Sequence, residues 1–211
     1  MIITQPVYRT VLAVDVENST ARNNRAKGLL RHHLYDLVAE ALVLSGIGVR
    51  QHDPFIDRGD GLLVLIYPCD QVPKTLLLGA VIPTLSRLVA QHNARYPAVP
   101  IRLRVVLHAG EVHYDPRAPF GEALDIAFRL LDAPAVKEAL RHTTAPLVLV
   151  ISGELYRSVV RHGYPGIDPI AFRPMVHLRV AGAWQFGWVH VPDGRWIARP
   201  VTGRSIPPAA S

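Results

Sequence analysis

The pattern of apolar and polar positions predicts a strand and then a helix at the start of the chain. Tyr8–Val14 is a continuous apolar run typical of a buried strand. It leads through Asp15 into Asn18–Thr20, residues of the type that cap helices. Apolar residues then recur at helical spacing on one face, at Leu30, Leu34, Leu37, Val38, Ala41 and Leu42.

The next elements are predicted to be a hairpin, a helix and a strand. Val49–Ile56 and Leu62–Tyr67 are expected to pair around the tight turn Asp57–Gly61. Val81–Ala94 has helical periodicity, with a start near Pro73. Apolar and polar residues alternate over 101–107, as in a strand with one buried face.

Five further elements follow along the chain. A third helix is predicted over Gly121–Arg141 and a strand over Leu147–Ile151. Ser152–His162 is predicted as a short helix capped by Ser152, and Val176–Val180 and Phe186–Val191 as two strands.

The order of elements predicts the fold class. It is βαββαβ followed by αβαββ, and the first six elements match the split βαβ, or ferredoxin-like, pattern. We therefore expect an α+β fold with a palm-type core, a C-terminal αβαββ extension and an antiparallel sheet flanked by helices. One domain is expected over residues 1–194. Residues 195–211 contain three prolines and no periodicity, which predicts a flexible tail.

Composition narrows the class of protein. With 211 residues, 49% of them hydrophobic and 19% charged, the chain can bury a core, which excludes wholesale disorder. A single cysteine, Cys69, excludes an internal disulfide framework and fits a reducing compartment. The N-terminus lacks the pattern of a signal peptide, and the longest apolar stretches are too short to span a bilayer. We expect a cytoplasmic protein that does not associate with membranes.

The formal net charge of +6 suits an anionic partner. Such partners are nucleic acids, acidic lipids and nucleotides, and the absence of any run of like charges longer than two residues argues against a nucleic-acid-binding tail.

Two aspartates are predicted to meet at one edge of the sheet. Asp15 ends the first strand and Asp60 lies in the hairpin turn, and in a split βαβ sheet these strands are neighbours. Convergent carboxylates suit Mg²⁺ or Mn²⁺, and two such ions can catalyse phosphoryl transfer. Each aspartate also has a purely structural interpretation, as a turn residue or a helix cap.

Four segments, in this order, resemble the motifs of the class III nucleotide cyclase homology domain, the family of adenylyl and guanylyl cyclases. Val11–Thr20 and Arg58–Gly61 resemble its two metal motifs. Arg102–Val112 resembles its central strand, and Gly121–Leu130 the helix that completes the active site. The resemblance covers roughly residues 8–191.

The resemblance implies an activity and a metal site. Family members join the ribose 3′-oxygen to the α-phosphate and expel pyrophosphate, at sites shared between two chains. Asp15 and Asp60, with the Val16 carbonyl, would hold two Mn²⁺ or Mg²⁺ ions. The implied partners are a nucleoside triphosphate and a second copy of the chain.

The resemblance also assigns residues that would bind the triphosphate. The amides of Asn18, Ser19 and Thr20 would bind phosphate oxygens at a helix start. Arg104 stands at a phosphate-binding arginine position, and Arg179 where the family usually has a lysine. Arg104 alternates with apolar neighbours, so a solvated strand face remains an alternative for it.

The helix at 121–130 carries two further implied catalytic residues. Arg129 of the partner would stabilise charge on the α-phosphoryl group, unless it pairs with Asp125 or Asp132 on its own helix. Asp125 stands where the family usually has an asparagine that orients the ribose.

The residues that read a purine base in the family are missing. Ile56 replaces a lysine or glutamate, and Ala118 falls near the second base-reading position. Phe55 and Ile56 are expected to narrow the base pocket, and Arg58 to donate to a pyrimidine carbonyl. Bacterial pyrimidine cyclases of antiphage defence are similar short cyclase domains and resemble this chain in the turn Asp57–Gly61. This resemblance implies UTP or CTP as substrate and a separately encoded effector that responds to the cyclic nucleotide.

Two other hypotheses remain open. The domain could be a catalytically degenerate module that dimerises or senses nucleotides, for which Asp125 is the best support. It could also be another palm-type nucleotidyl or nucleic-acid enzyme that shares the split βαβ sheet.

Overall fold

One eight-stranded sheet forms the centre of the molecule. The computed structural model describes residues 5–19 and 22–192, so Thr20 and the predicted tail at 195–211 lie outside the described residues. The strands are β1 (Val7–Val16), β2 (Ile56–Asp57), β3 (Gly61–Ile66), β4 (Leu103–Tyr114), β5 (Pro119–Phe120), β6 (Leu147–Ser152), β7 (Arg173–Val180) and β8 (Ala183–His190).

The strand order confirms the predicted α+β class. It is β2-β3-β1-β4-β6-β8-β7, with β5 paired to β4. The first four strands have the order of a split βαβ core, in which β1 is antiparallel to both β3 and β4. Only the β4–β6 pair is parallel among the described strands, because helices cross over between these two strands.

Helices cover both faces of the sheet. They are α1 (Asn24–Leu44), α2 (Lys74–Leu76), α3 (Ile82–Arg95), α4 (Glu122–Leu131), α5 (Pro134–Arg141) and α6 (Gly153–Ser158). A π-helical turn at Leu77–Val81 joins α2 to α3, and two 3₁₀ turns lie at Val160–His162 and Pro169–Ala171.

Alternation along β1 divides the core into two clusters. Leu12 and Val14 pack into the cluster that contains residues of α1 and α3. Val11 and Ala13 pack into the cluster that contains residues of α4 and α5. Because both faces are covered, β1 consists largely of buried residues, as its uninterrupted apolar sequence predicts.

Two predicted elements differ from those in the structure. Val49–Ile56 is not a strand: only Ile56–Asp57 pairs with β3, beside one isolated bridge at His52. Pro54, which has no N–H group, interrupts the ladder there. The predicted helix over Gly121–Arg141 is two helices, since Pro134 disfavours helical geometry at Ala133, which has ψ 136°.

The start of α1 also differs from the prediction. Asn23, and not a residue within 18–20, caps the helix, and its side chain accepts from the Ala26 N–H at 2.9 Å. Asn18 and Ser19 therefore precede the helix by several residues.

Within residues 5–19 and 22–192, no helix combines the length and the apolar character needed to cross a membrane.

Candidate functional site

Asp15 lies at the end of β1, between one residue of β3 and one of β4. Its register partners are Gly61 and Arg104. The Arg104 guanidinium donates to Asp15 Oδ2, and the two side chains are 13% and 19% exposed. Asp15 Oδ1 and Arg104 Nε are buried and have no hydrogen-bond partner among the described residues. One carboxylate oxygen of Asp15 therefore remains available to a ligand.

The surroundings of Asp15 disfavour its negative charge. Burial raises the pKa of the Asp15 carboxyl above its ordinary value, and the nearby charge of Asp60 raises this pKa further. The hydrogen bond and charge of Arg104 act in the opposite direction and do not cancel the rise in the Asp15 pKa. A cation between the two carboxylates would stabilise their negative charges.

A rigid turn brings Asp60 to Asp15. Arg31 of α1 donates to both carboxylate oxygens of Asp57, at 2.8 and 2.5 Å, and to the Gly59 carbonyl at 3.1 Å. Gly59 has φ +82°, which favours glycine. A Cβ at Gly61 would lie 2.1 Å from the Val14 carbonyl oxygen, so only glycine lets β3 approach β1 this closely.

Residues at the end of β1 and in the loop after it bind Asp60 through two hydrogen bonds. The Ser19 hydroxyl donates to Asp60 Oδ2 at 2.5 Å, and the Val16 N–H donates to the Asp60 carbonyl at 3.1 Å. Ser19 is buried, whereas Asp60 is exposed.

Both aspartates line one cavity of about 190 Å³, as the hairpin topology predicts. Arg58 and Phe128 also line it, and the Arg58 guanidinium lies 3.8 Å from the centre of the Phe128 ring. This cation–π contact links the hairpin turn to α4.

Asp15 and Asp60 fit a hard divalent cation. Both offer carboxylate oxygens, and Asp15 Oδ1 is buried without a partner. No group of three or more His, Cys, Asp or Glu side chains that could hold a metal occurs within the described ranges. The remaining ligands would therefore be backbone, water or substrate oxygens, as is usual for Mg²⁺.

The predicted phosphate-binding loop is only partly as expected. Asn18 is exposed, with φ +55°, and the Ser19 hydroxyl bonds to Asp60. Asn18 and Ser19 precede α1, which begins at Asn24, but Ser19 has 3₁₀ geometry and its carbonyl accepts from the Arg22 N–H at 3.1 Å, so the phosphate-binding role of residues 18–20 stays a prediction. Arg104, the predicted phosphate ligand, is paired with Asp15.

Asp125 and Arg129 lie one turn apart on the exposed face of α4. Neither of the alternative intrahelical pairs of Arg129 is present, because Asp132 pairs with Lys137 and no Asp125–Arg129 ion pair occurs among the described residues. Neither side chain reaches the cavity that holds Asp15 and Asp60 of the same chain.

Arg179 lies at the far edge of the sheet from the hairpin, on β7. Its guanidinium donates to the Gly182 carbonyl at 2.9 Å and lies 5.3 Å from the centre of the Trp184 ring. It does not join Asp15 and Asp60 within one chain.

The four predicted base-pocket residues do not form one pocket within a chain. Phe55 packs against Tyr35 on the α1 face of the sheet, with ring centres 6.0 Å apart, whereas Ile56 packs into the cluster on the α4 face. Ala118 lies in a turn beyond the far end of β4, and its N–H donates to Asp115 Oδ1 at 2.9 Å. Only Arg58 adjoins the carboxylates.

Sequence reasoning missed two supports of the site. One is the Ser19 hydroxyl, which bonds to Asp60 through its side chain and not through the expected amide. The other is Arg102, which donates to Glu17 Oε2 at 3.2 Å and to the Thr143 carbonyl at 2.7 Å. The sequence indicates this role of Arg102 only through its position two residues before Arg104, because its partner Thr143 is distant along the chain.

Comparisons with known proteins identify the fold. No protein-family model and no curated protein matches the chain. Among solved structures, the chain is similar to the guanylyl cyclase Cya2, at 13% identity and a TM-score of 0.61, over 95% of this chain and 98% of that one.

Two further structures are also similar. The adenylate/guanylate cyclase/hydrolase from Silicibacter pomeroyi has 16% identity and a TM-score of 0.64, over 90% of this chain and 99% of that one. The adenylyl cyclase CyaB from P. aeruginosa has 15% identity and a TM-score of 0.59, over 90% and 96%. The chain therefore has the fold of class III adenylyl and guanylyl cyclase domains.

Proposed function

We propose that the protein is a nucleotide cyclase that converts a nucleoside triphosphate into a 3′,5′-cyclic nucleotide and pyrophosphate. The observation that carries the proposal is the pair Asp15 and Asp60, which line one cavity on a cyclase fold, with Asp15 Oδ1 buried and unpartnered.

The reaction is an internal displacement at phosphorus. A bond forms between the ribose O3′ and the α-phosphorus, and the bond from that phosphorus to the bridging oxygen breaks. The electron pair leaves with pyrophosphate, and the proton of the 3′-hydroxyl passes to solvent. Two Mg²⁺ or Mn²⁺ ions, held by Asp15, Asp60 and the Val16 carbonyl, would supply Lewis-acid stabilisation of the charge that develops.

The chain's own residues position the reactants. Ser19 fixes the Asp60 carboxylate, and Arg104 fixes that of Asp15. The amides of the loop around Asn18 and Thr20 contact phosphate oxygens. These positioned groups lower the entropic cost of an aligned attack.

A second copy of the chain completes the site. Arg129, Asp125 and Arg179 act on the carboxylate site of the partner, and the exposure of the first two on one face of α4 supports this. Arg129 stabilises charge on the α-phosphoryl group and Arg179 the triphosphate. Asp125, when ionised, accepts a hydrogen bond from a ribose hydroxyl.

The preferred base is a pyrimidine, with UTP ahead of CTP. Ile56 and Ala118 offer no side-chain hydrogen bonds to a purine edge, and Arg58 offers donors to the two carbonyls of uracil. The product would signal to a separately encoded effector, in the manner of antiphage pyrimidine cyclases.

The test is incubation with ATP, GTP, CTP and UTP in Mn²⁺, followed by mass detection of cyclic products. Asp15→Asn and Asp60→Asn should each lower turnover on the order of 10²-fold or more, because each removes a charge from the metal site. Asp70→Asn, an exposed aspartate outside the site, is the matched control.

Wild-type turnover in both site variants would refute the metal assignment. Cyclisation of ATP or GTP at least as fast as both pyrimidines would refute the base preference alone. An Ile56→Ala variant should increase the use of purines.

The second candidate is a catalytically degenerate module that dimerises or senses nucleotides. Asp125 favours it, because a carboxylate in place of the usual asparagine adds negative charge near a triphosphate. Nucleotide binding with no cyclic product from any of the four substrates would support this candidate.

A further inference from the structure

A second cavity lies beside the hairpin turn, next to the carboxylate site. Its volume is about 350 Å³, and Asp60, Ser19 and Gly59 line one side of it. Lys27, Arg31 and two leucines of α1 line the other side. Asp60 borders both this cavity and the smaller one that contains Asp15.

The two cations of this cavity are not equivalent. Arg31 is neutralised by Asp57, through two hydrogen bonds of 2.8 and 2.5 Å, and also donates to the Gly59 carbonyl. The half-buried Lys27 side chain has no hydrogen bond or ion pair among the described residues. A lysine that lines a cavity together with leucines and has no counter-charge among the described residues favours an anion in that cavity.

Two arginines adjoin the carboxylates, and each of them contacts another side chain of the same chain. Arg104 is engaged by Asp15, and Arg58 lies over Phe128. The reaction proposed above releases a polyanion beside Asp60. Lys27 borders Asp60 in the second cavity and has no ion pair among the described residues.

We propose that Lys27 binds the β- and γ-phosphates of the substrate, and the pyrophosphate that leaves, in the cavity between α1 and the hairpin turn. This inference rests on the proposed cyclase function for its substrate. The ammonium group donates up to three hydrogen bonds, and the leucine walls lower the local dielectric, which strengthens its attraction to phosphate. The charge that builds on the leaving group is thereby stabilised within one chain.

The experiment compares Lys27→Met with Arg25→Met. Methionine keeps the apolar stem of the side chain and removes the charge. Arg25 lies two residues away on α1, is exposed and does not line the cavity, so its replacement controls for the loss of one positive charge. Lys27→Arg restores the charge with a different geometry.

Calorimetric titration with magnesium pyrophosphate is the first readout, and KM for the preferred triphosphate is the second. Lys27→Met should weaken pyrophosphate binding about 10-fold or more and raise KM, whereas Arg25→Met should match the wild type and Lys27→Arg should recover part of the binding. Equal midpoints of thermal unfolding exclude misfolding as the cause.

Each outcome assigns the failure to one claim. Equal pyrophosphate affinity in Lys27→Met and Arg25→Met, or no pyrophosphate binding by the wild type, overturns the role of Lys27. If the wild type forms no cyclic nucleotide but binds pyrophosphate, and Lys27→Met loses that binding, the anion site at Lys27 is supported and the proposed cyclase function is overturned.

Discussion

At the scale of single residues, the two carboxylates of the site have unequal surroundings. Asp15 is half-buried and tied to Arg104, whereas Asp60 is exposed and tied to Ser19. Because Asp60 lies on an exposed turn, the orientation of its carboxylate depends on the hydrogen bond from Ser19, the one side-chain bond to it among the described residues. In the metal site proposed above, the buried hydroxyl would position the Asp60 carboxylate without contacting the metal.

Ser19→Ala should weaken Mn²⁺ binding about 10-fold or more, because loss of an outer hydrogen bond to a metal ligand has effects of that size. Calorimetric titration with Mn²⁺ measures this directly. Ser86→Ala, another buried serine, on α3, is the control for loss of a buried hydroxyl. Equal Mn²⁺ affinity in the two variants would contradict the positioning role.

His108 is another buried polar residue, and it lines a cavity together with residues of α4. It lies on β4, is 4% exposed, and its Nδ1 has no hydrogen-bond partner among the described residues. Burial lowers the pKa of His108 from its ordinary value of 6.5 to about 4. The imidazole is therefore neutral in the folded chain at neutral pH.

The folded chain should lose stability as the pH falls from 7 to 5. Since the His108 pKa is lower in the folded state, the unfolded chain binds more protons below pH 6.5, and acid favours unfolding. The contribution of His108 to this loss is about 2 kcal/mol between pH 7 and pH 5. Chemical denaturation at both pH values measures it.

His108→Gln should reduce that loss of stability, and the exposed His162→Gln should leave it unchanged. An identical pH dependence in His108→Gln and the wild type would show that His108 does not titrate in this way.

Local sequence could predict the identity of the carboxylates but not their partners. Asp15 and Asp60 follow from a strand end and a Gly-Asp-Gly turn, which are local signals. The Arg104–Asp15 pair and the unpartnered state of Lys27 depend on strand register and on how α1 packs, which are tertiary properties. The side-chain role of Ser19 was missed for the same reason.

At the scale of elements, the β2–β3 hairpin is the part that positions Asp60. It has only two residues in β2, and the bond from Arg31 of α1 to Asp57 holds the turn against the helix. Both side chains are largely exposed, so the pair contributes little to global stability. Its effect is local, on the placement of the turn.

Arg31→Ala should lower cyclase turnover about 10-fold, since a small displacement of a catalytic group has large effects on rate. The midpoint of thermal unfolding should change little. Arg87→Ala, an exposed arginine on α3, is the control. A large fall in thermal stability with unchanged turnover per folded molecule would reverse this interpretation.

Element boundaries were predictable where one signal dominated. The periodicity of α1 and the apolar run of β6 gave the correct elements. The break between α4 and α5 lies at Pro134. The apolar periodicity continues across this proline and therefore predicts one helix in place of two. The segment before β2 was predicted as a strand from composition, but Pro54 and an irregular pairing with β3 prevent a regular ladder.

At the scale of the whole molecule, the cavity of one chain is lined by Asp15 and Asp60 but not by the other functional residues that the family resemblance assigns. Arg129 and Asp125 are exposed and do not line the cavity of their own chain, and three strands separate β1 from β7, which carries Arg179. A symmetric head-to-tail pair would bring each exposed α4 face to the carboxylates of the other chain. Two equivalent sites would result.

Shared sites predict that two inactive variants complement each other. Asp60→Ala removes a metal ligand from one half-site, and Arg129→Ala removes a charge from the other half-site. A mixed dimer then retains one intact site, made of Asp60 from the second variant and Arg129 from the first. Random mixing of equal amounts should restore about a quarter of wild-type turnover, because half of the dimers are mixed and each has one working site of two.

The control for complementation is a mixture of Asp15→Ala and Asp60→Ala. Asp15 and Asp60 line one cavity, so both changes damage the same half-site. No mixed dimer of these two variants therefore has an intact catalytic site. Native mass spectrometry verifies that mixed dimers form, and mass detection of cyclic product measures the rescue. Absence of rescue in verified Asp60→Ala and Arg129→Ala heterodimers would mean that each chain builds its catalytic site alone. Rescue in the control mixture would contradict the placement of Asp15 and Asp60 in one half-site.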